Sequence, residues 1–145
     1  MTKEDKCILL QDLTARLPYG VILDYSFIED KQRIHTKIPL TYRNIGTVAL
    51  DEWHTNDEIF KPYLRPMSSM TEEEKEEFHK LKQFSVTVVM TNGVSLLKPT
   101  YIVDLEEDGD GLNHLYDWLN AHHFDYRGLI EKGLALEAPE GMYKV

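Results

Sequence analysis

The stretch I-L-L-Q-D-L-T-A-R-L-P-Y-G-V-I-L-D-Y-S-F (Ile8–Phe27) changes its hydrophobic period midway, and that change decides the fold class. Ile8, Leu9, Leu10, Leu13 and Leu17 recur at the 3.6-residue spacing of a helix. Pro18-Tyr19-Gly20 stops that helix, since proline cannot continue it and glycine accepts the conformations that end one. Val21, Leu23, Tyr25 and Phe27 then alternate with Asp24 and Ser26, the period of a half-buried strand. Upstream, Thr2 with Asp5 reads as an N-cap followed by an acid in the first turn. A helix feeding directly into an alternating strand predicts an α+β chain.

Downstream, Glu29-Asp30-Lys31-Gln32 is a polar turn, and Ile34, Thr36 and Ile38 alternate again up to Pro39. Asn44–Gly46 reads as a turn and Thr47–Leu50 as a short strand, which would complete an antiparallel meander over residues 19–60. Lys61–Met70 reads as an extended linker, because Pro62 and Pro66 push Lys61 and Arg65 out of the helical region. Thr71 and Glu74 match a capping box at the start of an acidic helix, whose clearly apolar residues are Phe78 and Leu81. Phe84–Thr91 reads as a strand, Asn92-Gly93 as a type I′ hairpin turn, Val94–Leu97 as the return strand and Tyr101–Val103 as its continuation. Leu112, Leu115, Tyr116 and Leu119 then mark an amphipathic helix. Asp125 reads as the cap of a last short helix ending at Gly133, with Leu134 packed back on Leu129. The expected organisation is one α+β domain over 1–145, with an N-terminal helix, antiparallel strands and hairpins, and a helical C-terminal segment. Its alternative form is two small lobes, 1–60 and 71–145, joined by the linker 61–70.

Charge is distributed unevenly. The chain carries −9 overall, and Asp104–Val145 alone holds ten acids against three bases. Duplex nucleic acid is bound through basic patches, so this acidic third is a poor surface for it. It suits solubility, or docking onto a basic partner. No apolar run reaches the roughly 18 residues of a membrane span. The first residues, M-T-K-E-D-K-C-I-L-L-Q-D, contain acids and no small-residue cleavage site, unlike a secretory signal. One cysteine, Cys7, cannot form an internal disulfide, and its place in the apolar stripe reads as core. A cytoplasmic protein is the expectation.

Several constellations invite a chemical reading. Glu106, Asp108, Asp110, Gly111 and Asp117 fall at calcium-loop spacing, with Glu at the first ligand and Asp at the last where the pattern wants the reverse. The strand-like segment before them also lacks the helix such a loop follows, so a solvated loop is favoured. Glu76 and His79 form one E-x-x-H pair, half of a di-iron signature, and the second half is missing. His114 and Asp117 share a helix face, with His122 and His123 near its end, where histidines read as compensating the helix dipole. No G-x-S-x-G, H-E-x-x-H or glycine-rich phosphate loop occurs, so no cofactor and no catalytic residue is assigned.

Three segments carry a family resemblance. K-P-Y-L-R-P-M-S-S-M-T-E-E-E (Lys61–Glu74), W-L-N-A-H-H-F-D-Y-R-G-L-I-E-K-G-L-A-L-E-A-P-E-G-M-Y (Trp118–Tyr143) and A-R-L-P-Y-G-V (Ala15–Val21) resemble a group of short, functionally uncharacterised proteins from gut Bacteroides-type bacteria and their phages or mobile elements. That resemblance implies an accessory role and supplies no activity, ligand or catalytic residue.

The leading expectation is a non-enzymatic interaction protein that docks a protein partner through its acidic C-terminal third. Trp118, Phe124, Tyr126 and Tyr143 would be the anchors, aromatic residues being typical of interface centres, although filling the core is the simpler role for them. The competing expectations are a small metal-dependent or acid–base enzyme using His114, Asp117 and His122, and a nucleic-acid-associated protein using Lys61 and Arg65.

Overall fold

A computed structural model describes residues 2–50, 57–91 and 110–143, with side chains omitted for 82–91 and 110–113. The chain divides into two compact units: Met1–Met67 with Asn120–Val145, and Ser68–Leu119. The fold is α+β, with an N-terminal helix, a mixed four-stranded sheet and further helices.

In the first unit, helix α1 (Lys3–Arg16) starts at a reciprocal capping box. The Asp5 amide donates to Thr2 Oγ1 at 3.0 Å, and the Thr2 amide donates to Asp5 Oδ2 at 3.4 Å. The helix passes into a 3-10 turn (Leu17–Tyr19) and ends on Gly20 at φ +70°, a left-handed position that glycine tolerates. Its buried face is Leu9, Asp12, Leu13 and Arg16. Cys7 lies about 200° around the helix from Leu9 at 100° per residue, and it is exposed instead of joining the core.

Strands β1 (Ile22–Glu29) and β2 (Gln32–Pro39) form an antiparallel hairpin closed by Asp30 and Lys31 at φ +50° and +64°. Both loop residues are left-handed, as a two-residue type I′ turn requires, although neither is glycine. A helix then stands where a turn and a strand were expected over Asn44–Leu50. Thr41 caps α2 (Tyr42–Ala49), with its amide donating to Asn44 Oδ1 at 2.9 Å, and Ile45 and Val48 turn toward the core. Asn44 is therefore a capping-box partner and not a turn residue.

The stretch read as a linker also differs. Strand β3 (Ile59–Leu64) pairs antiparallel with β1, and β4 (Leu136–Glu137) adds parallel to β3, giving the order β2-β1-β3-β4. An all-antiparallel arrangement is thus corrected to a mixed sheet. Pro62 is tolerated because Asp24↔Lys61 and Ser26↔Ile59 are the bonding positions of the β1–β3 ladder, and Leu23↔Pro62 is not one of them.

The core lies on one face of this sheet. Leu9, Leu13, Val21, Leu23, Phe60 and Leu64 pack with Val48 of α2 and with Leu129, Leu134 and Ala135 of the C-terminal segment. Residues 125–134 form a wound turn in place of a last helix. Asp125 caps it through both carboxylate oxygens, accepting from the Leu129 and Ile130 amides at 2.8 and 3.0 Å. Gly133, at φ +74°, ends it as expected: the Leu134 amide donates to Leu129 O at 2.9 Å and the Gly133 amide to Ile130 O at 3.0 Å, a Schellman motif.

One charged network is buried with this core. Arg16, fully buried, donates from Nε to Asp12 Oδ2 at 2.7 Å and from Nη2 to Phe124 O at 2.6 Å. Arg127 Nε donates to the other Asp12 oxygen at 3.2 Å. The Arg16 and Arg127 guanidiniums lie 5.2 and 4.9 Å from the Tyr126 ring centroid.

The second unit holds α3 (Glu72–Thr91) and α4 (Asp110–Ala121) up to Leu119. The Thr71–Glu74 capping box is present, at 3.0 and 3.2 Å. The backbone stays helical through Thr91, where β-branched content had pointed to a strand from Phe84. Extending a nucleated helix costs only a few tenths of a kcal/mol per β-branched residue. The expected turn at Asn92-Gly93 and strands Val94–Leu97 and Tyr101–Val103 lie outside the described residues.

Two outcomes follow. Asp12→Ala strips the partner from a buried guanidinium and is expected to cost about 3–5 kcal/mol in urea unfolding; a loss below about 1 kcal/mol contradicts a buried ion pair. Asp30→Asn with Lys31→Gly gives the turn the residues its geometry favours and is expected to raise stability by about 1–2 kcal/mol. An unchanged urea midpoint rejects the left-handed turn.

Candidate functional site

Alternation along the strands sorts the side chains of the sheet onto two faces. Leu23, Tyr25 and Phe60 look into the core. Asp24 and Ser26 of β1, Arg33, His35 and Lys37 of β2, and Lys61 and Tyr63 of β3 share the opposite face. All of these but Lys37, together with the apolar Ile59 and Leu136, line a shallow hollow of about 390 Å³. Its floor is the buried pair Asp24 and Ser26, and its β2 wall is exposed along its length.

The polar groups of this face hold one another in place. His35 Nδ1 lies 2.9 Å from Asp24 Oδ2. Arg33 Nη1 donates to Ser26 Oγ at 3.0 Å and to Asp57 O at 3.1 Å. Lys37 Nζ sits 5.6 Å from the Tyr63 ring centroid. Burial, with the nearby Asp24 carboxylate, pushes the Tyr63 hydroxyl upward in pKa. Arg33, Lys37 and Lys61 thus set a positive field on a chain of net charge −9.

A second cavity, about 440 Å³, opens on the core side. Leu9, Val48, Phe60 and Leu134 line it together with Asp5, Glu58, Lys61 and Lys132, so its rim has no dominant sign. Beside it, Tyr25 donates to Glu58 Oε1 at 2.5 Å. That hydrogen bond, with burial and the carboxylate charge, raises the tyrosine to about 12.

The residues singled out from the sequence are dispersed. Phe124 is wholly buried, and its ring faces the Arg65 guanidinium at 4.2 Å from the centroid. The Tyr126 hydroxyl donates to Asn120 Oδ1 at 2.9 Å. The Tyr143 hydroxyl donates to Tyr63 O at 2.7 Å and accepts from the Ile22 amide at 3.0 Å, tying the tail across β1 and β3. Trp118 belongs to the second unit, where its Nε1 donates to Glu77 Oε2 at 2.9 Å and its ring tilts on Phe78. These four side chains are engaged in packing and hydrogen bonding.

Arg65 is built into the fold, its amide donating to His123 O at 2.7 Å and its carbonyl accepting from the Asp125 amide at 2.8 Å. His114 and Asp117 are exposed on α4, and Glu76 and His79 on α3. His122 is half-buried, with its ring stacked at 6.3 Å from Phe124. Of the calcium-spaced acids, Glu106 and Asp108 lie outside the described residues, while Asp110 and Asp117 are both on α4. Among the described residues, no group of three or more His, Cys, Asp or Glu side chains is arranged to hold a metal. No described helix is long and apolar enough to cross a membrane.

Sequence reading missed the β2 contribution although the signal was there. Ile34, Thr36 and Ile38 marked the apolar phase, and Arg33, His35 and Lys37 between them repeat a base at the same period of two. Compared with known protein families, with characterised proteins and with solved structures, the chain matches none.

His123 titrates differently from the dipole-compensating cation expected of it. Its ring is buried and stacks on Tyr143 at 3.7 Å between centroids. Burial, reinforced by the Arg16, Arg65 and His122 charges, lowers its pKa to about 4. The unfolded chain therefore takes this proton first as pH falls. The stabilisation is whole above about pH 6.5 and is lost between about 6.5 and 4, on the order of 3 kcal/mol in all. His123 adopts φ +63°, which asparagine tolerates. His123→Asn is therefore expected to flatten the stability–pH curve over that window in urea unfolding series, and an unchanged acid limb rejects a neutral buried imidazole.

Proposed function

We propose that this chain is a non-enzymatic docking module that holds an acidic polypeptide segment on the outer face of its sheet. The observation that carries the reading is the convergence of Arg33 and Lys61, with His35, around the Asp24–Ser26 floor, beside Lys37 on the same face of β2. Cations held by partners on a rigid strand lose less conformational freedom on binding than lysines on loops. The field they set has a short range, about 8 Å at physiological salt, so the face acts locally despite the opposite net charge.

An acidic polypeptide suits this face better than a nucleic acid. Single-stranded nucleic acids are held by a basic groove together with several aromatic platforms. Among the described residues the rings lining this hollow are Tyr63, with Lys37 against it, and the His35 imidazole held by Asp24. The resemblance of Lys61–Glu74 and Trp118–Tyr143 to short Bacteroides-type proteins adds a setting, an accessory of a phage or mobile element.

Fluorescence anisotropy with labelled poly-glutamate, run beside a labelled oligothymidylate, tests the reading. The wild type is expected to bind poly-glutamate with an affinity that falls as salt rises. Arg33→Glu with Lys37→Glu should lose at least tenfold while circular dichroism stays unchanged. Equal binding by the charge-reversed variant, or a preference for the oligonucleotide, overturns the proposal.

A further inference from the structure

Among the described residues strand β2 is the edge of the sheet, and the register of the hairpin decides which of its backbone groups look outward. A two-residue turn makes Glu29 and Gln32 the closing hydrogen-bonded pair. Bonded pairs then recur at every second position of an antiparallel ladder: Phe27 with Ile34, Tyr25 with Thr36, and Leu23 with Ile38. The next position agrees, since the Leu40 amide donates to Val21 O at 2.9 Å. The N–H and C=O groups of Arg33, His35 and Lys37 therefore point away from β1, along the outer edge. Pro39 is next in that phase, and having no N–H it closes the run of donors.

The side chains of the same three residues lie on the basic face. Between them, Ile34 and Thr36 look to the core side, and Ile34 is 37% exposed. The edge thus offers main-chain donors and acceptors at three consecutive outward positions, bases on one side and apolar or β-branched surface on the other.

From this juxtaposition we propose that the acidic partner docks by strand addition to β2, as an extended segment alternating acidic and apolar side chains. Resting on the reading of the basic face given above, the inference adds the mode and sequence pattern of the ligand. An added strand sends successive side chains to opposite faces. Acids at every second position would then face Arg33, His35 and Lys37, and the residues between would cover Ile34. A second copy of this chain is the wrong occupant. Antiparallel pairing of β2 with itself about His35 sets Arg33 opposite Lys37 twice, a like-charge contact that destabilises. The same bases that guard the edge against self-association select a partner of opposite sign.

The test uses a nine-residue peptide of alternating Glu and Val, titrated into the ¹⁵N-labelled chain. Its comparison is a block peptide of the same composition, with its glutamates first and its valines last. The alternating peptide is expected to bind at least tenfold tighter than the block peptide and to shift the amide resonances of Arg33, His35 and Lys37. N-methylation of alternate peptide amides on the pairing edge should abolish binding. Equal affinity for both peptides, with Arg33→Glu and Lys37→Glu weakening each, overturns strand addition and leaves the basic-face reading standing. Absence of binding by either peptide overturns both readings. A concentration-dependent rise in mass of the free chain, traced to β2 by its loss in the His35→Pro variant, which removes an outward N–H, assigns the edge to a second copy and rejects an acidic partner.

Discussion

The first unit depends on one buried carboxylate. Asp12 accepts from Arg16 on one oxygen and Arg127 on the other, and Arg16 reaches on to the carbonyl of Phe124. Helix α1 and the C-terminal segment, 108 residues apart in sequence, are thereby joined through a charge that water cannot screen. Desolvating these ions is costly, and only their short, directed hydrogen bonds offset it. The contact restricts which partners α1 accepts, since another register of the helix against the sheet would leave the guanidinium unpaired. The tail adds a second tie, with the Tyr143 hydroxyl bonded at once to β1 and β3.

With the core confined to one face of the sheet, the period of the strands leaves a second face of different chemistry. Apolar residues of α1, α2 and the wound C-terminal turn cover the inner side. On the outer side Asp24 and Ser26 sit low between longer neighbours, and Arg33 and His35 are anchored on them. Positive charge is thus concentrated and oriented at one place on an acidic molecule. Strand β2 combines that charge with an outward row of backbone donors and acceptors, so affinity and selection of a ligand can arise from the same three residues.

Local signals were the legible part of the sequence. The Thr2 cap, the helix stop at Gly20, the alternation of β1 and β2, the Thr71–Glu74 box and the Gly133 terminus each rest on a few adjacent residues, and each stands in the structure. Errors came where tertiary context decides. Asn44 was read through its turn propensity, but a threonine three residues earlier makes it a capping partner. The extended backbone expected around Pro62 is present, but as a strand in place of a linker, since the N–H that Pro62 lacks falls off the β1–β3 ladder. Cys7 is exposed because residue type carries no information about helix phase, and the hydrogen bond from Tyr143 to Tyr63, 80 residues away, has no local signal. The basic row on β2 was visible in the pattern, but its meaning depended on knowing that β2 is an edge.

Native-state hydrogen exchange along β2 tests the open edge and its register most directly. Slow exchange at Ile34, Thr36 and Ile38 alternating with fast exchange at Arg33, His35 and Lys37 is the result this account predicts. Protection of all six amides would mean that another part of the chain covers the edge, and the inverse alternation would mean a register slipped by one residue, which would turn the basic row into the core.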